Sequence, residues 1–392
     1  MRVSMGRFAF VISLALIGLS SLSGELQSSE KKTALWGGLG FSSFSNDTLS
    51  PAAEELRVCA VDKQLGTCGG FDIFAASRKI FAEHSFEHLN LEVGLLAADQ
   101  TIGYFVSPVI TTEFVIKAKA EGQFFYTFLV VGNLLVYEVT PTETNYVYSV
   151  PYSVQASEYF ANELTAREEL NYIQEWYRTD RQDDNFFYQM ASNAIKSLEI
   201  PLSFGNYVQF TDISFSDSVA SILSETASPD SWKKTISAFA EARLAAQTGK
   251  PIIPSSLGEN QLELFFADGS RKINLPQPMY EFELFVKIFK LQAPSADWAC
   301  FNVGTYYSVK AFEDTLLNVP IVHGEDSCGY YSAKDADPTM AFPANLFEQI
   351  HEVMKAFSSA PGGDNYARTH ISKNASENLS AIRSIRESVF EN

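Results

Sequence analysis

FFYTFLVVGNLLVY, residues 124 to 137, is the strongest membrane-helix candidate beyond the first 24 residues, and its reading decides the fold class. It is shorter than the ~20 apolar residues a helix needs to cross a bilayer. It is rich in aromatic and β-branched residues and is interrupted by Gly132 and Asn133, so it reads as a buried strand.

Its neighbours read the same way. EFVIKAKAEG (113–122) precedes it and NYVYSVPYSV (145–154) follows, completing a series of three strands. Upstream lie a strand and turn at 35–47, a helix FDIFAASRKIFAEHSF at 71–86 and a short strand HLNLEVG at 88–94. NFFYQMASNAIKSL (185–198) closes the series as a helix.

The second half repeats this order. NYVQFTDISF (206–215) is a strand, and SWKKTISAFAEARLAAQTG (231–249) is a helix with Trp232, Ile236, Phe239, Ala240 and Leu244 on one face. Gly249 supplies its stop. PIIPSS, then YEFELFVKIFKLQ (280–292), WACFNVGTYYSVKAFE (298–313) and NVPIVHGED (318–326) are strands, and NLFEQIHEVMKAF (345–357) is the closing helix. Asn185, Phe187, Gln189 and Met190 match Asn345, Phe347, Gln349 and Ile350 in the two closing helices. The offset drifts from 171 residues at the first strands (35 and 206) to 160 at the closing helices (185 and 345). The expected fold is therefore α/β (α+β): two similar domains, each a mixed or antiparallel sheet packed by helices, with an internal duplication.

This order of strand, helix, short strand (KPIIPSSL at 250–257) and strand hairpins (EDTLLNVPIVHGE at 313–325) resembles the small α/β domain of the TolB amino-terminal and curli-secretion (CsgG-like) families of bacterial envelope proteins. The resemblance covers most of 35–198 and 206–357 and carries no diagnostic motif. It implies a non-catalytic module of envelope assemblies. The lipidation cysteine of such proteins is missing here, and nothing about pore formation carries over.

The amino terminus sets the compartment. Arg2 and Arg7 flank an apolar FAFVISLALIGL (8–19), and the small residues SSLSG (20–24) follow. That is the order of a secretory signal, so residues 1–24 are expected to be removed and the chain exported, periplasmic or extracellular. The expected domains are then 25–200, with a charged helical segment at 155–184, and 201–358. A polar linker and amphipathic helix occupy 359–392. No later run is long and apolar enough for a transmembrane helix. The formal charge of −18 repels phosphate backbones and anionic lipid, which argues against nucleic acid and anionic membrane surfaces as partners.

Four cysteines in an exported chain point to disulfides. Cys59 and Cys68 bracket a short loop. Cys300 and Cys328 are equidistant from residue 314, the centre of the expected hairpin, so they face each other across it. The pairing expected is 59–68 and 300–328. Asn46, Asn374 and Asn378 head glycosylation sequons, which matter only in a eukaryotic host.

One motif suggests metal chemistry. HSFEH (84–88) spells H-x-x-E-H, in which His84 and His88 would bind zinc and Glu87 would act as general base. Glu163 or Glu168, on a helical stretch 75 to 80 residues beyond His88, would supply the third ligand. Against this, HLNLEVG reads as the next strand, which takes His88 off the helical face. A histidine in the last helical turn also has a plain role, favouring the negative end of the dipole.

Elsewhere there is no G-x-S-x-G elbow, and GGLG (37–40) lacks the Lys-Ser/Thr of a phosphate loop. His323, in HGED, reads first as a strand-to-loop turn. Leu379, Ile382, Ile385 and Val389 recur at helical spacing near the end of the chain, a stripe expected to dock on a protein partner or a second copy. The leading expectation is an exported non-enzymatic interaction or assembly component without a cofactor. The alternatives are a secreted zinc-dependent hydrolase and a binding protein holding a small ligand between its domains.

Overall fold

A computed structural model describes residues 31–42, 51–61, 71–94, 102–120, 123–200, 207–224, 228–255, 261–267, 269–295, 298–312, 314–323, 328–329 and 338–391. The signal-like segment, Asn46, Cys68 and Gly324 to Asp326 of HGED lie outside the described residues.

The expected strand series around residues 124–137 forms the middle of a first sheet. β1 (Lys32–Trp36), β2 (Gly40–Phe41), β3 (Leu89–Glu92), β4 (Gly103–Ala120), β5 (Gln123–Val139) and β6 (Thr144–Phe160) belong to it. The path β3-β1-β4-β5-β6 runs parallel between β3, β1 and β4 and antiparallel between β4, β5 and β6. Helices α1 (Pro51–Val61), α2 (Ile73–Glu83), α3 (Ala166–Arg178) and α4 (Phe186–Ala194) cover one face. Asp72 caps α2 and Asn185 caps α4, each accepting from two backbone N–H groups.

Gly132, which interrupts the apolar run, sits within β5. A Cβ there would lie 2.6 Å from the Val109 carbonyl oxygen and 2.7 Å from Cε of Met190. Its glycine lets α4 approach the sheet where the β4–β5 register shifts between Ile110 and Thr112.

The second half follows the same plan. β7 (Val208–Phe215), α5 (Asp217–Leu223), α6 (Pro229–Thr248) and β8 (Ile252–Ile253) come first. After a hairpin, β11 (Tyr280–Ser295), β12 (Trp298–Ala311), β13 (Asp314–His323), β14 (Cys328–Gly329) and α7 (Pro338–Ala356) complete it. The second sheet runs β8-β7-β11-β12-β13, with β14 paired to β12. Its β8, β7 and β11 are parallel, and its β11, β12 and β13 antiparallel. Strand order and direction are those of β3-β1-β4-β5-β6.

The hairpin β9 (Gln261–Phe266) and β10 (Gly269–Asn274) departs from this plan. It comes from the second half of the chain but is built into the first sheet, β9 against β2 and β10 against β6. Because β2 also pairs with β4, the strands β4, β5, β6, β10, β9 and β2 close on themselves. Phe105, Val109, Leu135, Tyr137, Tyr146, Leu264, Phe266 and Ile273 pack together there as a separate core. Arg271 fastens the hairpin, donating to the Gly37 carbonyl at 3.1 Å and the Tyr137 hydroxyl at 3.3 Å.

The two sheets stack with α6 and α7 between them. Phe114 of β4 lies 4.6 Å, ring to ring, from Trp232 of α6 and 5.9 Å from Phe347 of α7. On the other side, Gln349 of α7 is bonded to Thr305 and to the Val303 carbonyl of β12. Ile116, Leu129 and Val131 of the first sheet thus share one core with the second sheet. A helix covered on both sides must be small or apolar all round, and α6 buries Trp232, Ile236, Phe239 and Leu244 together with Ala238, Ala240, Ala242 and Ala245.

Two expectations change. Gln155–Phe160 is not helical: it pairs residue by residue with Phe124–Leu129, and the helix starts only at Ala166. Ladder bonds to a long partner strand override the charged helical pattern, and Thr165 with Glu168 forms a capping box that fixes the later start. The terminal stripe is also not offered outward. Leu379, Ile382, Ile385 and Val389 are 6%, 0%, 3% and 5% exposed and belong to the chain's own core. They lie on α9 (Ala375–Ile385) and the π-helical turn Arg386–Phe390, which follow α8 (Gly363–His370). Arg383 and Arg386 clamp Asp364 at 2.6 and 3.1 Å, and Ser372 N–H donates to the Pro320 carbonyl at the edge of β13. The stripe completes a core that would otherwise be open over β13.

Candidate functional site: a cleft between the two sheets

The HSFEH motif does not assemble a site. α2 ends at Glu83, and His84 is its extended C-cap. The two histidines therefore do not share a helical face. The His84 ring nitrogens are engaged by the Ile80 carbonyl at 2.8 Å and Ser192 Oγ at 3.2 Å, and the ring packs edge-on against Tyr188. Glu163 accepts from Lys117 at 2.7 Å, and Glu168 is held in its capping box. Among the described residues no three His, Cys, Asp or Glu side chains converge on a metal position.

The cysteines are placed more simply. Cys59, in α1, is disulfide-bonded, and Cys300 lies directly opposite Cys328 in the β12–β14 ladder.

A cavity of about 420 Å³ opens between the first sheet and the helix layer. β4, β5 and β6 supply Ile116, Phe125, Thr127, Leu129, Gln155 and Ser157, while α6 and α7 supply Phe239, Arg243, Phe347, Glu348 and His351. The strands are long enough to run past the packed centre, and their far ends with the outer turns of α6 and α7 make the walls.

Its polar groups are unevenly satisfied. Thr127 and Ser157 bond each other at 2.8 Å across neighbouring strands. Arg243 donates from Nη2 to Gln155 Oε1 at 3.2 Å and stacks on Phe239, 4.8 Å from the ring centroid. Its Nε is sealed from solvent without a hydrogen-bond partner, as is His351 Nδ1. Burial pulls the Arg243 guanidinium below its usual range, and only Tyr152 partly offsets this. Burial also lowers His351, with the Arg243 and Lys355 charges adding to it and Glu352 and Glu348 opposing.

Glu348 stands at the rim, its side chain 58% exposed, with His323 Nε2 at 3.7 Å holding its carboxyl below the usual range. His323 is itself buried, bonded through Nδ1 to the Tyr366 hydroxyl at 2.8 Å, with Tyr366 stacked on His370. His323 is the last residue of β13, and its side chain is packed in the core.

A second concavity, on the outer face of the second sheet, already pairs its cations. Lys310 meets Glu283 at 2.5 Å and Lys287 sits 5.2 Å from the Tyr306 ring. Arg243 has no carboxylate within ion-pair distance among the described residues, and that distinguishes the cleft.

Sequence reasoning missed Arg243, Gln155 and His351. The available signal was a lone cation in the small-residue run SAFAEARLAAQ (237–247), which only a helix with two buried sides would use. Searches against family models, characterised proteins and solved structures returned no match.

Proposed function

We propose that the protein is an exported, non-enzymatic binding component that holds a small ligand in the cleft between its two sheet-and-helix units. The observation that carries this is Arg243, without a carboxylate partner among the described residues and with its sealed Nε unsatisfied, at a cavity of about 420 Å³ lined by both apolar and polar side chains. The cleft offers no nucleophile–base pair among its lining residues. Thr127 and Ser157 bond each other, and Glu348 faces solvent and His323. Export rests on the amino-terminal signal pattern, and duplication of one ancestral unit accounts for the matching strand orders. Placement in a bacterial envelope assembly is a second reading, favoured by the recurrence in both halves of the element order that resembles the TolB and CsgG-like modules.

A polarity-sensitive dye such as 1-anilinonaphthalene-8-sulfonate tests the cleft. Binding of one dye per chain, abolished when Leu129→Trp fills the cavity in a folded variant, supports the reading. Undiminished dye binding in that variant removes it.

A further inference from the structure

The cleft also specifies the chemistry of what enters it. We propose that it binds an apolar monocarboxylate, with the acid group on the Arg243 guanidinium and the hydrocarbon or aryl part against Phe125, Leu129, Phe239 and Phe347. This rests on reading the cleft as a binding site.

The charge balance points to an anion. Arg243 carries the cleft's positive charge; the side chain is half-buried, and its sealed Nε is a donor without a partner, which costs free energy until an acceptor reaches it. Among the described residues its partners are the neutral Gln155 oxygen at 3.2 Å and the Phe239 ring. A guanidinium presents a planar fork of donors that matches a carboxylate. His351 stands beside it, where burial and the Arg243 charge both disfavour its protonation. Its unpartnered Nδ1 can carry the proton and donate a second hydrogen bond to the same acid.

The same balance limits the anion to one charge. Glu348 lines the rim, and the chain as a whole carries −18, so a phosphate or dicarboxylate meets one cation against a repelling field. An amine meets Arg243 with like charge. A neutral apolar molecule fills the walls but leaves Arg243 Nε without an acceptor. The remaining lining is Ile116, Phe125, Leu129, Phe239 and Phe347, which suits an alkyl chain or aromatic ring. Thr127 and Ser157 share one hydrogen bond, which leaves one hydroxyl proton able to donate to the same acid or to water.

The test is calorimetric titration of the full mature chain at pH 7.5 with octanoate, octan-1-ol and octylamine, which share one tail and differ in head group. The expected order is octanoate well above octan-1-ol, with octylamine weakest. Arg243→Gln, checked for folding by circular dichroism, should weaken octanoate by about tenfold or more, the worth of a charge-assisted bond, and leave octan-1-ol unchanged. Arg243→Lys should recover part of the loss.

Equal binding of acid and alcohol, unaffected by Arg243→Gln, overturns the carboxylate assignment while leaving the cleft as a binding site. Preference for octylamine overturns it as well. No binding of any of the three to the wild-type chain also overturns it, and undiminished dye binding in Leu129→Trp then removes the cleft itself. Should Arg243→Gln fail to fold, the order among the three probes on the wild-type chain decides alone.

Discussion

The Tyr177 hydroxyl of α3 donates to Glu113 Oε1 of β4 at 2.7 Å, in the centre of the first core. The same carboxylate receives the backbone N–H groups of Ala52 and Ala53 at 2.7 and 2.9 Å, so a sheet residue caps α1. One buried acid therefore ties together β4, α1 and α3. Glu241 does similar work in α6, accepting from Ser237 and from the backbone N–H of Ser255 through Oε1.

Both acids make stability depend on pH. Burial raises Glu113 to about 7 and Glu241 to about 8, against hydrogen bonds that lower them, from an ordinary value of 4.5. Because the folded pKa values lie above the unfolded one, the folded state keeps protons that the unfolded chain has already released. The contribution is full below about pH 4.5 and is lost as pH rises toward 7 and 8. Urea midpoints should fall between pH 5 and pH 8.5. Glu241→Gln keeps the Oε1 acceptor and removes one of the two titrations, so it should reduce that slope, leaving the part due to Glu113, and stabilise the chain at pH 8.5 by on the order of a few kcal/mol. An unchanged slope would contradict this account of Glu241.

Gly132→Ala should destabilise the fold. Its Cβ would meet the Val109 carbonyl, Met190 and Phe186, all closer than 3.0 Å, and overpacking of this kind costs about 1–3 kcal/mol. Gly94→Ala, where nothing lies within 4 Å, is the control and should leave the denaturation midpoint nearly unmoved.

The opposition of Cys300 and Cys328 in an antiparallel ladder places their Cα atoms about 4.5–5.5 Å apart, within the range a disulfide spans. Peptide mapping without reduction should recover a 300–328 bridge, and a 59–68 bridge should account for the bonded Cys59. Breaking either should cost about 2–4 kcal/mol. A peptide joining Cys59 to Cys300 or Cys328 would refute the assignment.

His84→Ala should act on stability rather than on metal content. The ring spans the Ile80 carbonyl and Ser192 Oγ, linking the end of α2 to α4. Its removal should lower unfolding free energy by about 1–2 kcal/mol. Elemental analysis of wild type and variant should show no zinc that depends on His84. Near one zinc per chain, lost in the variant, would restore the hydrolase reading.

Much of the fold was legible in the amino-acid order because its elements carry local signals. Apolar and β-branched runs marked the strands, Gly249 with φ of +66° ended α6 as expected, and Cys300 lies opposite Cys328 as expected, although the β12–β13 turn falls between Ala311 and Asp314 and register shifts bring the two cysteines level. These are effects of periodicity, turn chemistry and backbone freedom within a few residues. The apolar run at 124–137 contained enough to be recognised as a strand, since its length and composition exclude a bilayer helix.

Tertiary structure decided the rest, because the deciding partners lie far apart in the chain. Gln155–Phe160 reads as part of a charged helix until β5 pairs with it. The stripe Leu379, Ile382, Ile385 and Val389 is the same amphipathic pattern whether it covers the chain's own β13 or a neighbour. The cleft is the clearest case. Gln155 and Arg243 stand 88 residues apart, and neither is unusual until the stacking of one sheet on the helices of the other seals Arg243 Nε away from water without an acceptor. Sequence determines where a charge falls along a helix; only the packing of distant elements determines whether its donors face solvent or the wall of a cleft.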